Sequence, residues 1–137
     1  MESFNERFSA SRWGSQSGRH GATLASLFAA PIRTILAQPE CAEYSNNELR
    51  AVVFSQNVTE EQTEQFERRF GAPLLQLYGM TEPIAPPLLN PLFGERRDMS
   101  LGRPTLGARL RVVDSSGADV QPGSTGELLV AGEPGAR

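Results

Sequence analysis

The stretch Gln76–Ile84, "QLYGMTEPI", sets an aromatic ring (Tyr78), a glycine (Gly79), an alcohol (Thr81) and a carboxylate (Glu82) at the end of an apolar run. These types suit a nucleotide and its metal. The Tyr78 ring offers a flat face to a purine. The Thr81 hydroxyl can donate to a phosphate oxygen. Glu82 offers a hard anionic oxygen of the kind Mg2+ takes. Gly79 either lets the backbone approach a ligand closely or takes positive φ. On residue types alone, an ordinary strand-to-loop turn with a surface Thr and Glu accounts for the same letters. What separates the two is the set of elements that carries them.

Around this stretch the chain reads as strand, helix, strand. "LRAVVFS" (49–55) is a short β-branched run that predicts a buried strand. "VTEEQTEQFERRFG" predicts a helix with both ends signed. Thr59 and Gln62 have capping-box spacing. Glu60 and Glu61 fall in the first turn and Arg68 and Arg69 in the last, which suits the helix dipole. Gly71 follows as the C-terminal stop, and Phe66 and Phe70 form the buried pair. "PLLQLYG" (73–79) is the second strand. A helix crossover between two strands predicts a parallel sheet, and ligands of such sheets sit at the strands' carboxyl ends.

Upstream, "ATLASLFAAPIRTILAQPE" spaces Leu24, Leu27, Phe28, Ile32, Ile35 and Leu36 along one helical face. Pro31 either kinks that helix or starts its second piece. Downstream, "PIAPPLLNPLFGERRDMSLGRPTLG" is rich in proline and glycine and predicts a long ordered loop. "ARLRVVD" alternates Leu110 and Val112 with Arg109 and Arg111. "ELLVAG" does likewise with Leu128 and Val130, so antiparallel β structure is expected there. The fold class predicted is α/β: a βαβ parallel portion, then a small antiparallel β portion. Residues 1–21 are expected as a loosely ordered lead-in or a short helix around Ser9–Gly14. Residues 22–99 form the α/β part carrying the nucleotide motif, and 100–137 the antiparallel part, with a boundary near Met99–Leu101.

The 137 residues suffice to bury a core. Net charge is −3, with no basic stripe of the kind that binds nucleic acid. All thirteen basic residues are arginine, so a lysine-dependent step cannot run on this chain alone. One cysteine, Cys41, and one histidine, His20, exclude an internal disulfide and a Cys/His zinc site. The N-terminus lacks the apolar segment of a secretory signal, and no apolar run reaches the roughly 18 residues of a membrane span. The default location is the cytoplasm. His20 is expected as a surface or capping residue, Cys41 as a minor packing or surface thiol, Trp13 in a small packing cluster with Phe8, and Asp114 and Asp119 as turn formers. Arg96, Arg97 and Asp98 read as a solvated loop or as a contact for an acidic partner or for phosphate groups.

"YGMTE" resembles the signature of the adenylate-forming enzymes: acyl-CoA synthetases, firefly luciferase and peptide-synthetase adenylation domains. "LRAVVFSQNVTEEQTEQFERRFGAPLLQLYGMTE" is similar to their strand–helix–strand. "SLGRPTLGARLRVVDSSGADVQPGSTGELLVAG" is similar to the segment that follows, and "ERFSASRW…HGATLASLFAAPIRTILAQPE" resembles the family's upstream helix pair. Acyl- or carnitine/crotonobetaine-type CoA ligases are the nearest in flavour. The resemblance implies an AMP-forming acid–thiol ligase with ATP, Mg2+ and CoA. A carboxylate attacks the α-phosphate of ATP, giving acyl-adenylate and pyrophosphate, and the CoA thiol then displaces AMP. By position, Tyr78 stacks on adenine, Thr81 contacts the α-phosphate and Glu82 helps hold Mg2+. Gly79 and Met80 line or adjoin the acyl pocket.

Two departures stand out. Family members usually carry a Gly-Gly-Ala-like stretch where this chain has Ser55, Gln56 and Asn57; these flank the adenine pocket and are candidates for hydrogen bonds to the nucleotide. The family's phosphate loop, the Gly-Asp that binds ribose and the mobile domain with its catalytic lysine are not in the sequence. The chain therefore reads as a middle slice of a much longer enzyme, expected to be inactive alone. The alternative expectation is a non-catalytic module that binds a partner or pairs with further copies through the edges such a slice exposes, giving a dimer or larger assembly.

Overall fold

The structure, a computed structural model, describes residues 7–81 and 85–131, with the backbone alone described at Glu43 and Ser45. In chain order the elements are α1 (Trp13–Arg19), β1 (Leu24–Phe28), α2 (Ala29–Leu36), a 3-10 turn (Ala42–Ser45), β2 (Ala51–Ser55), α3 (Glu60–Phe70), β3 (Leu74–Tyr78), β4 (Leu88–Leu89), β5 (Arg103–Pro104), β6 (Arg109–Val113) and β7 (Glu127–Ala131). The first five strands form one sheet in the order β1-β2-β3-β4-β5. β1, β2 and β3 run parallel, and β4 and β5 join antiparallel. β6 and β7 form a separate antiparallel pair. The fold is thus α/β with a parallel portion followed by an antiparallel one. The main sheet reaches Arg103–Pro104, and the change of sheet falls between Pro104 and Arg109.

α3 forms because its local signals agree. Thr59 Oγ1 accepts from the Gln62 amide at 3.3 Å, and Gln62 Oε1 accepts from the Thr59 amide at 3.0 Å. This reciprocal box satisfies two donors that a helix start leaves unpaired. Gly71 ends the helix at φ 67°, in the left-handed region where glycine has no penalty. Thr63, Phe66, Arg69 and Phe70 are buried on one face. Arg69 reaches across to α2, where Nη1 donates to the Ile35 carbonyl at 2.9 Å. That bond is a second one to this carbonyl, which also accepts from the Gln38 amide at 3.1 Å at the end of α2.

The long helix expected from Leu24 onward is corrected by the structure. Residues 24–28 are instead β1, paired in parallel register with β2 from Leu24↔Ala51 to Phe28↔Ser55. The Leu24, Leu27, Phe28 spacing fits a helix face, but only Leu27 is buried; Leu24 is 65% and Phe28 59% exposed. α2 starts at Ala29 with Phe28 as its extended N-cap. Pro31 therefore sits in the first turn, where its missing N–H has no partner to lose. Neither role left open for Pro31 holds as stated: a single helix opens at Ala29, and Pro31 is its third residue.

The lead-in helix begins at Trp13, not Ser9, and runs to Arg19. It is packed, with Trp13, Gly14 and Ser17 buried. Trp13 does not pair with Phe8, which is 46% exposed. Its partners are Phe66, at 5.8 Å between ring centroids, and Phe70, at 5.0 Å and edge-on. One core results, in which Ile32 and Ile35 of α2, Val52 and Phe54 of β2, Leu74 of β3 and the α3 phenylalanines meet. No helix among the described residues is long and apolar enough to cross a membrane.

In the β6–β7 pair, Leu110 faces Val130 and Val112 faces Leu128, as the alternation predicts. Asp114 builds the turn that follows. Its Oδ1 accepts from the Ser116 amide at 2.8 Å, the Ser116 hydroxyl at 2.6 Å and the Ala118 amide at 3.1 Å. The Ser116 hydroxyl first, then the backbone amides, hold the Asp114 carboxyl below its ordinary value. A depressed carboxyl stabilises the turn above the ordinary Asp range, and that contribution is lost as pH falls through the lowered value. Asp114→Ala should speed amide exchange at Ser116 and Ala118 at neutral pH and abolish the acid-induced loosening of this turn. Equal exchange in both proteins would refute the role.

Candidate functional site

β2 and β3 are parallel neighbours, with Val52↔Leu74 and Phe54↔Gln76 in register. Their carboxyl ends therefore open at the same edge of the sheet. β2 delivers Ser55, Gln56 and Asn57 there; β3 delivers Tyr78, Gly79, Met80 and Thr81. Glu82 lies outside the described residues. α3 begins just after the first turn, anchored by buried Val58.

Each candidate has a definite place. Ser55 is half-buried and pairs with Phe28 of β1. Gln56 and Asn57 are exposed. Tyr78 is half-buried, and its hydroxyl donates to Met80 Sδ at 3.9 Å. Met80 and Thr81 are exposed at the edge. Gly79 does not take positive φ, which removes one of the two roles expected of it. A Cβ at Gly79 would meet only ordinary contacts, Leu77 Cδ1 at 3.7 Å and Pro86 Cβ at 3.9 Å. The fold itself therefore leaves room for a side chain at Gly79.

The turn after β2 carries a feature the residue types do not announce. Gln56 sits at φ 74°, a region that a residue with a side chain adopts at a cost of about 1–2 kcal/mol. Gln76 of β3 is buried, and its Nε2 donates to the Gln56 carbonyl at 3.0 Å and to Asn57 Oδ1 at 2.8 Å. Gln76 was not among the residues singled out from the sequence. The signal was there: a primary amide inside the run "LLQLY" must find partners when buried.

Other polar groups stand outside the two segments 55–57 and 78–81. A cavity of about 320 Å3 includes Thr63, Glu67, Leu74, Asn90 and Arg96 in its lining and opens toward the amino end of β3. Arg96 lies 3.9 Å from Glu67 of α3, and Arg97 3.4 Å from Glu95 two residues before it, so the charged loop pairs once with α3 and once within itself. His20 and Cys41 are exposed. Asp119 pairs with Arg111 at 2.8 Å. The Thr59 hydroxyl holds the Glu61 carboxyl below its ordinary value.

A parallel sheet with this motif at its carboxyl edge is the architecture of a known enzyme class. The chain matches the AMP-binding enzyme family along residues 1–137 and belongs to it. Among curated relatives, it is 34% identical over 130 residues to the crotonobetaine/carnitine–CoA ligase of Proteus mirabilis, covering 95% of this chain and 25% of that protein. The Shigella flexneri ligase of the same name is 32% identical over 130 residues, with the same coverage of both chains. The chain thus spans about a quarter of the length of these relatives. Among solved structures, a benzoate CoA ligase from Burkholderia xenovorans superposes with a TM-score of 0.80 at 23% identity, over 93% of this chain and 26% of that one. The O-succinylbenzoate CoA synthetase of Bacillus subtilis, solved with ATP and magnesium ion, gives a TM-score of 0.75 at 25% identity, over 93% of this chain and 26% of that one.

Proposed function

We propose that this chain carries part of the nucleotide and acyl-adenylate site of an ATP-dependent acyl-CoA ligase, and that by itself it binds nucleotide without completing the reaction. The observation that carries this reading is the shared carboxyl edge of β2 and β3, where the turn Ser55–Asn57 and the motif Tyr78–Thr81 emerge from adjoining parallel strands. Tyr78 takes the purine face, with Gly79 and Met80 beside the acyl group. Gln56 and Asn57 flank the purine, and Thr81 meets the α-phosphate. The Glu82 carboxylate is a hard oxygen donor, the chemistry that fits Mg2+. Bound there, the ion supplies neutralisation of phosphate charge. The residues themselves orient the nucleotide and exclude alternative poses. The substrates are a nucleotide and a carboxylic acid, with CoA as the thiol, in a cytoplasmic setting.

Calorimetry with ATP–Mg2+ tests this. The chain should release saturable heat, and Glu82→Ala should abolish it. Heat that persists unchanged in the variant would remove Glu82 from the site.

One observation favours a second reading, self-association. Leu24 and Phe28 project exposed from β1 at the sheet edge, and such an edge invites pairing with another strand. Absence of nucleotide heat together with a dimer by light scattering would favour that reading over the first.

A further inference from the structure

We infer that Gln76 is a positioning residue for the nucleotide edge: from inside the sheet it clamps the turn 55–57 in its left-handed conformation and ties that turn to the strand that carries Tyr78. The inference rests on the nucleotide reading proposed above.

Alternation along β3 puts Gln76 on the same face as Leu74, toward the core. Only 3% of Gln76 is exposed. A buried primary amide is costly unless its polar atoms are paired. Gln76 Nε2 finds both acceptors in one turn, the Gln56 carbonyl at 3.0 Å and Asn57 Oδ1 at 2.8 Å. The Asn57 carbonyl in turn accepts from Arg33 Nη2 of α2. Two elements thus grip three consecutive polar groups. Between them lies Gln56 at φ 74°, a conformation that persists in a residue with a side chain only when its surroundings impose it. These bonds are the imposing contacts.

The consequence concerns spacing. Gln76 lies two residues before Tyr78 on the same strand, so one rigid segment sets the ring and holds the turn across from it. A planar base needs both walls at a fixed separation, and walls on rigid elements give that better than loops do. Without the Gln76 amide, the turn is free to leave its left-handed state, and the Tyr78 wall loses its counterpart.

The test is AMP titration calorimetry on the full chain, in wild type, Gln76→Leu, Gln76→Glu and Asn57→Ala, beside amide hydrogen exchange over 55–58. Gln76→Leu should speed exchange in the turn and weaken AMP about tenfold, the scale expected for a lost buried amide donor. Asn57→Ala, which changes the exposed turn and spares the sheet, should do the same to a smaller extent and covers the case in which Gln76→Leu does not fold. Gln76→Glu should bind poorly at neutral pH, where a carboxylate cannot donate. It should recover as pH falls and the protonated carboxyl donates to the Gln56 carbonyl; a packing defect alone gives no such recovery. Unchanged exchange in Gln76→Leu overturns the clamp. Faster exchange with unchanged AMP affinity overturns the positioning role. If the wild-type chain takes up no AMP, the nucleotide reading falls and the positioning role with it, while exchange still decides the clamp.

Discussion

Phe66→Ala should lower the folding free energy by about 3–5 kcal/mol, the range for emptying a buried phenylalanine site. Phe66 is 0% exposed. Its ring lies 4.6 Å from Phe70 and 5.8 Å from Trp13, so the substitution removes two aromatic contacts as well as buried area. It sits where α1, α3 and the sheet converge in one close-packed core. Against the roughly 5–15 kcal/mol that holds a typical domain together, this loss moves the urea midpoint far down at an unchanged slope. Phe66→Leu keeps most of the volume and should cost well under half as much. A loss below about 1 kcal/mol for the alanine variant would mean that the three elements do not share this core.

Gly102→Ala should cost about 3 kcal/mol, for two reasons that add. Gly102 has φ +91°, and a Cβ there would lie 2.2 Å from both the Asn90 nitrogen and the Leu89 carbonyl carbon. Those are backbone atoms and cannot rotate away. The loop between β4 and β5 closes at this point: the Asn90 side chain donates to the Ser100 carbonyl at 2.7 Å, and the Asn90 amide to the Gln76 carbonyl at 2.9 Å. The damage should therefore be concentrated at β4 and β5, seen as faster amide exchange at 88–90, Arg103 and Thr105 and a thermal midpoint lower by several degrees. Gly107→Ala is the control. Gly107 has φ +86° with nothing within 4 Å of the added carbon, so it keeps the conformational strain and lacks the clash. Equal effects for the two variants would show that packing at Gly102 contributes nothing.

How much of this was legible beforehand differs from element to element. α3 was legible from end to end, because a capping box, charges matched to the dipole and a terminal glycine act within one or two turns of chain. The edge shared by the Tyr78 motif and the turn 55–57 was also legible, since a helix crossover between two short apolar runs leaves few arrangements other than parallel neighbours. β1 was not. Leu24, Leu27 and Phe28 fit a helix face as well as a strand, and nothing local separates the two. Trp13 was recognised as a packing residue, but its partners come from α3, far along the chain. Ser55, Gln56 and Asn57 stand where the resemblance implies a Gly-Gly-Ala-like stretch. Even so, Gln56 keeps a left-handed backbone that glycine adopts readily.

The amino-acid sequence by itself determined the features that depend on neighbours a few residues away: the caps of α3, the alternation of β6 and β7, and the order of aromatic, glycine, alcohol and acid after β3. The tertiary structure alone decided those that depend on contacts between distant segments: the pairing that makes residues 24–28 a strand, the packing of Trp13 against α3, and the Gln76 amide that holds the Gln56 turn. The physical reason is one of range. Capping and side-chain alternation act within a turn or a few residues, whereas strand pairing and the partners of a buried amide exist only once separate parts of the chain have come together.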